Sequence, residues 1–165
     1  MIRAFDETGL SLCKVQGRIF EKSAVAAEGS SPFFIKSFMF SDEAEHMDND
    51  GFLSEPEDVE SILENLKRKH NLNRGTIKYS GDALFWMGYL YRFCCYTYQM
   101  SSRSVYGIIK AEELHSLYLP YHTLDIGVAV RRILEAKGIT SEKSSLECLK
   151  KAYRGGGNQP TLPPL

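Results

Sequence analysis

Four side chains in the middle of the chain, Arg92, His115, His122 and Asp125, are of the types that do acid–base or metal chemistry. A histidine beside a carboxylate can serve as a general base or a metal ligand, and an arginine can hold an anion next to it. The spacing speaks for a plainer arrangement. Asp125 stands before an apolar helical pattern, where a carboxylate caps backbone N–H groups, and His122 sits on the same turn, where bonding a neighbour is the simpler role. No nucleophile occupies a strained Gly-flanked turn, and the consecutive glycines at 155–157 lie in the tail rather than between a strand and a helix. The four residues support a secondary expectation, a small enzyme or ligand-binding protein, and none is assigned as catalytic.

Two further stretches imitate known chemistry. HMDNDGFLSEPE, residues 46–57, places Asp48, Asp50 and Glu57 at the third, fifth and twelfth positions of a calcium loop, with Gly51 at the sixth. Its first ligand position is His46, where calcium requires oxygen, and Pro56 disturbs the helix that would deliver Glu57. A polar turn is the better reading, and neither metal nor cofactor is expected. MSSRSVYGII, residues 100–109, has the outline of a helix-turn-helix in which Ser101 to Arg103 would meet DNA. Only Arg103 and Lys110 bring positive charge there, so DNA binding ranks behind the other readings.

The cysteines Cys13, Cys94, Cys95 and Cys148 show no CxxC spacing. Cys94 and Cys95 are adjacent in a helical pattern, where neighbouring side chains diverge, so they read as free thiols inside an apolar helix. The opening residues MIRAFDETGL carry no apolar run of a secretory kind, and no apolar stretch reaches the ~18 residues of a membrane span. A cytoplasmic protein without a membrane contact is expected. The net charge of −1 argues against nucleic-acid binding through the overall field.

The elements that must hold these residues are helices. A chain of 165 residues with 43% apolar and 25% charged side chains fits a single core. The expected fold is mainly α: six to seven short helices around a central buried helix at about 82–99, with an extended arm at the N-terminus. Residues 1–154 form the helical domain and 155–165, with three glycines and three prolines in eleven residues, a flexible tail.

In order, residues 1–14 show no periodicity and read as a strand or arm, and a helix follows near 16–27. Ser30, Ser31 and Pro32 open the next, after which a polar turn at 48–51 and Ser54 with Pro56 lead into an amphipathic helix. Residues 71–78 read as a loop. Ser80 or Asp82 caps the central helix, which is apolar nearly all round. Short helices follow from Ser101 or Ser102 to Ile109 and from Glu112 to Tyr118, ended by Pro120. Another runs from Ile126 to Lys137, stopped by Gly138, and a last one over 142–153.

Aromatic residues are the remaining signal. Phe33, Phe34 and Phe38 crowd one short helix, and Tyr106, Tyr118 and Tyr121 follow the central one, so these six are the candidate contacts for a partner. The run from Phe20 through SSPFFIKSFM at 30–39, together with SGDALFWMGYLYRFCCYTYQMSSRSVYGIIKAEELHSLYLPYHTLD at 80–125, resembles small bacterial proteins of toxin–antitoxin and phage-defence neighbourhoods. This likeness covers most of the chain. Over about a third of it, from Tyr89 to Ile133, the chain also resembles small antitoxins encoded beside ADP-ribosyltransferase-like toxins, through Met100 to Tyr106 and Tyr121 to Leu124. The resemblance implies a non-enzymatic antitoxin that binds its cognate toxin directly. A second copy of the chain is a further candidate partner.

Overall fold

The computed structural model describes residues 2–49 and 58–139. Among them the chain is all helical, with α1 Glu7–Ala26, α2 Ser31–Met39, α3 Asp42–Asp48, α4 Val59–Lys69, α5 Gly81–Tyr98, α6 Ser102–Ile108, α7 Ala111–Ser116, α8 Tyr118–Tyr121 and α9 Ile126–Ala136. The fold is a single domain organised on one close helix pair. Helices α1 and α5 run antiparallel, with Gly9 against Tyr96 at one end and Gly17 against Phe85 towards the other. The approach is tightest at Gly88, where a Cβ would lie 2.6 Å from the carbonyl oxygen of Gln16. Only a residue without a side chain lets the two backbones come so near.

As its sequence predicts, α5 is covered on most of its circumference. Leu84, Met87, Leu90, Tyr91, Phe93, Cys94 and Cys95 are all buried. Ser80 caps it by accepting from Ala83 N, and Gln99, in the left-handed region at φ 52°, ends it. On α1 the sequence reading needs correction. The helix begins at Glu7 rather than near 16, and the arm shortens to residues before it. Asp6 caps α1 by accepting from Gly9 N at 3.0 Å, and it also accepts from the Tyr96 hydroxyl at 2.6 Å. Those two bonds hold the Asp6 carboxyl below its usual range, with the tyrosine hydroxyl the larger cause. Ahead of it, Arg3 N donates to Thr97 O at 2.7 Å, and the Arg3 guanidinium lies 4.0 Å over the Tyr96 ring. The arm is thus pinned along the end of α5.

Against this pair pack the shorter helices. Ser30 caps α2, and Phe34 and Phe38 drive into the core against Phe20, with ring centroids 5.9 and 5.3 Å away. Helix α3, which no apolar periodicity announces, is started by Ser41 through Ala44 N. The expected start of the next helix at Ser54 and Pro56 lies outside the described residues; Asp58 caps α4 through Ser61 N at 2.8 Å. Residues 70–79 then run back over the start of α2. Ser30 N and Ser31 N donate to the carbonyls of Arg74 and Ile77, each at 2.8 Å, and Tyr79 N donates to Ser31 Oγ at 2.9 Å.

Pro120 does not follow a helix but lies within α8, where the missing N–H of a first-turn residue costs nothing. The expected helix from Glu112 to Tyr118 is therefore two, α7 and α8, which meet at Leu117. Asp125 caps α9 through Gly127 N and Val128 N, and Gly138, at φ 74°, turns the chain so that Ile139 N reaches Leu134 O at 2.8 Å. The helix expected over 142–153 and the tail at 155–165 lie outside the described residues.

Replacing Gly88 by alanine is expected to force α1 and α5 apart and to cost about 1–3 kcal/mol. A urea unfolding curve of G88A with a clearly lowered midpoint checks this; an unchanged midpoint would mean the helices part freely.

Candidate functional site

Arg92 is buried, with 1% of its surface exposed, and it sits where four helices meet. Its Nε donates to Gln16 Oε1 of α1 at 2.7 Å and its Nη1 to Asp48 Oδ1 of α3 at 2.6 Å. Nη2 donates to Ser102 Oγ of α6 at 2.9 Å and, at 3.5 Å, to the Ala44 carbonyl. Asp48 is in turn saturated: Oδ1 also accepts from Ser102 Oγ at 2.7 Å, and Oδ2 accepts from Ser102 N at 2.9 Å. A buried guanidinium is tolerable only when it is paired and its donors are used, and this arrangement meets both conditions.

The network forms one wall of a cleft of about 500 Å³, whose other residues include Arg3, Asn49, Tyr96, Gln99 and Ser101. Its chemistry is limited. Cys95 borders it, but burial pushes that thiol up to about 12, against the opposing influence of Arg92. Burial likewise raises Cys13 to about 12 and Cys94 further, so these three are packing groups and not nucleophiles.

The four candidates of the polar cluster do not bond one another. His115 lies flat on Tyr79, with ring centroids 3.6 Å apart, and burial lowers its pKa. The His122 Nδ1 is 3.0 Å from the carbonyls of Tyr118 and Leu119, and its ring leans on Tyr118 at 4.7 Å. Asp125 is the cap of α9, and Arg92 is spent on Gln16, Asp48 and Ser102. The calcium-loop alignment fares no better on what is described. Asp48 closes a helix and has both oxygens occupied, while Asp50 and Glu57 lie outside the described residues. In the segment read as a DNA contact, Ser101 and Arg103 are exposed while Ser102 is not. Ser102 is buried beneath Arg92, and Arg103 donates to the Phe40 carbonyl at 3.1 Å while its guanidinium lies 5.5 Å over the Phe40 ring.

Of the six aromatic candidates, Phe34, Phe38 and Tyr106 are buried and cannot meet a partner in this state. Phe20 packs against both Phe34 and Phe38 on α2, and Tyr106 on α6 is covered by Tyr91 and Phe40. Phe33 is half-buried under the Arg74 guanidinium, and Tyr118 and Tyr121 are half-exposed on α8.

A second aromatic group joins those last two. Trp86 is half-exposed on α5 with its ring 5.7 Å from Tyr118, and Phe85 and Tyr89 stand beside it, 6.2 Å from each other. Leu119 projects from α8 with 77% of its surface exposed. Neither Trp86 nor Leu119 is among the six candidate contacts that the sequence suggests. The signal was present, since Phe85, Trp86 and Tyr89 share one side of a helix by their three- and four-residue spacing.

No protein-family model matches the chain, and no curated protein or solved structure matches it either. What the site can do must be read from its own chemistry: a saturated polar network inside, and an aromatic face with polar tips outside.

Two results are expected. Asp48→Asn leaves the Arg92 charge buried without its counter-ion and lowers unfolding free energy by about 3 kcal/mol, whereas His122→Ala changes it by less than about 0.5 kcal/mol. Chemical denaturation of both variants measures the difference. Cys13, Cys94 and Cys95, neutral below their raised pKa values, stay unlabelled by iodoacetamide at pH 8 in the folded protein and react once it is denatured, as peptide mass spectrometry would record.

Proposed function

We propose that this protein is a non-enzymatic binding module that acts by holding another protein, and that the partner is a toxin it neutralises. The observation that carries the first part is the half-exposed aromatic face of Trp86 and Tyr118 with the protruding Leu119. Tryptophan and tyrosine combine a large apolar body with a polar tip, and they are the side chains that anchor protein interfaces. An isolated exposed leucine is ordinary, but Leu119 directly follows Tyr118, whose ring meets Trp86, and exposed apolar groups gathered this closely are of the kind partners cover.

The chemistry of the interior points the same way. Arg92 and Asp48 bind each other, the three described thiols are buried and protonated, and His115 and His122 are engaged with Tyr79 and Tyr118. The toxin as partner rests on the resemblance carried by Met100 to Tyr106 and Tyr121 to Leu124. In this reading Tyr121 and His122 belong to the binding face, while Ser101 to Tyr106 hold the structure behind it.

Co-expression with the product of the adjacent gene is the test. The pair is expected to co-purify and the toxicity of that product to be relieved. Leu119→Asp, at a site with almost no contacts to lose, is expected to weaken the complex about tenfold or more without changing the unfolding midpoint. Absence of a complex with the wild-type chain would overturn the proposal.

A further inference from the structure

The aromatic face has an electrostatic frame. Asp82 precedes Phe85 and Trp86 by three and four residues, so its carboxylate starts the same stripe of α5 that Tyr89 continues. At the other end of the stripe Asp125 stands before α9. It is near enough to Tyr89 to help raise that hydroxyl's pKa, behind burial and Cys13 in effect. The same end is fixed by Gly127, where a Cβ would lie 3.6 Å from the Phe93 ring. Both carboxylates are exposed, and neither forms an ion pair among the described residues. The ion pairs among the described residues lie elsewhere, on Asp42, Glu43, Asp48, Glu60, Glu64 and Glu113.

Resting on the binding role proposed above, we infer that the face of Trp86, Tyr89, Tyr118 and Leu119, flanked by Asp82 and Asp125, receives an arginine-bearing apolar segment of the partner protein. Arginine is the side chain that satisfies both halves of the surface. Its guanidinium plane stacks on tryptophan and tyrosine faces, and its edge forks onto a carboxylate. Lysine, a compact and strongly hydrated charge, would gain less from the rings. An acidic segment would be repelled. Leu119 supplies the apolar anchor beside the charge, so the fitting partner element carries alternating apolar and arginine positions on one face.

Trp86 is the only tryptophan in the chain, so its fluorescence reports directly on this face. The full-length protein is titrated with an amphipathic peptide of leucine, alanine and arginine, and with the same peptide carrying lysine or glutamate at the arginine positions. The arginine peptide is expected to give a saturable change in Trp86 emission that weakens with added salt. The lysine peptide should bind more weakly and the glutamate peptide give no change. Asp82→Asn with Asp125→Asn is expected to weaken the arginine peptide about tenfold while the fold is kept, since asparagine still caps α9.

Undiminished binding by that double variant, or an equal response to the glutamate peptide, would overturn the inference. So would sedimentation showing a dimer that Leu119→Asp dissolves, which would assign the face to a second copy. In the co-purification assay, a toxin complex lost in Leu119→Asp but kept in the Asp82→Asn, Asp125→Asn variant would reject this inference and leave the binding role standing. No complex even with the wild type would reject the binding role itself.

Discussion

The fold depends on how the Arg92 charge is satisfied. A guanidinium with 1% exposure is destabilising by several kcal/mol unless its donors are used and its charge is balanced. Asp48 supplies the balance, and Gln16 and Ser102 take the remaining directions. Those partners come from α1, α3 and α6, so the position of three helices follows from one side chain of α5. The hydrophobic contacts around it are non-directional and would tolerate some sliding; the Arg92 bonds would not. Ser102 tightens the arrangement, because its N–H and its hydroxyl both reach Asp48 and thereby fix where α6 begins.

The surface proposed for interaction is the outer stripe of α5 and the short helices laid over it. Helix α8 is only four residues long and has no buried residue of its own. It is held by its neighbours, through Leu117 to α7 and through the Trp86 and Tyr118 rings to α5. That placement presents Leu119 outward. Aromatic side chains with few rotatable bonds lose little conformational freedom when a partner docks, which suits such a surface to binding. The cleft beside Asp48 contrasts with it, since its polar wall is already bonded within the chain.

Much of the architecture is legible in the sequence. The central helix is apolar nearly all round, and the caps Ser30, Ser80, Ser101 and Asp125 stand where serine or aspartate precedes a helical pattern. Other features are hidden for physical reasons. The first half of α1 escapes because its core side carries Gly9, Gln16 and Gly17, which admit the α5 backbone and the Arg92 side chain but break apolar periodicity. Helix α3 escapes because DEAEHMD buries only Ala44 and Met47.

The site was harder to read. Arg92, His115, His122 and Asp125 look alike on paper as polar residues of one stretch, but helix geometry sends Arg92 inward and gives the others separate local partners. Phe34 and Phe38 look like surplus for one helix until Phe20 of α1 is seen to interlock with both. Leu119 carried no periodic signal, because its exposure is set by the turn at Leu117 that separates α7 from α8.

Recognition is proposed to take place on the α5 and α8 surface, while the bonds of Arg92 to α1, α3 and α6 serve the fold. Hydrogen exchange of the chain, free and with the product of the adjacent gene, tests this most directly. The account predicts new protection in amides 117–124, with residues 47–49 and 99–103 around the cleft unchanged; protection confined to the cleft segments would contradict it.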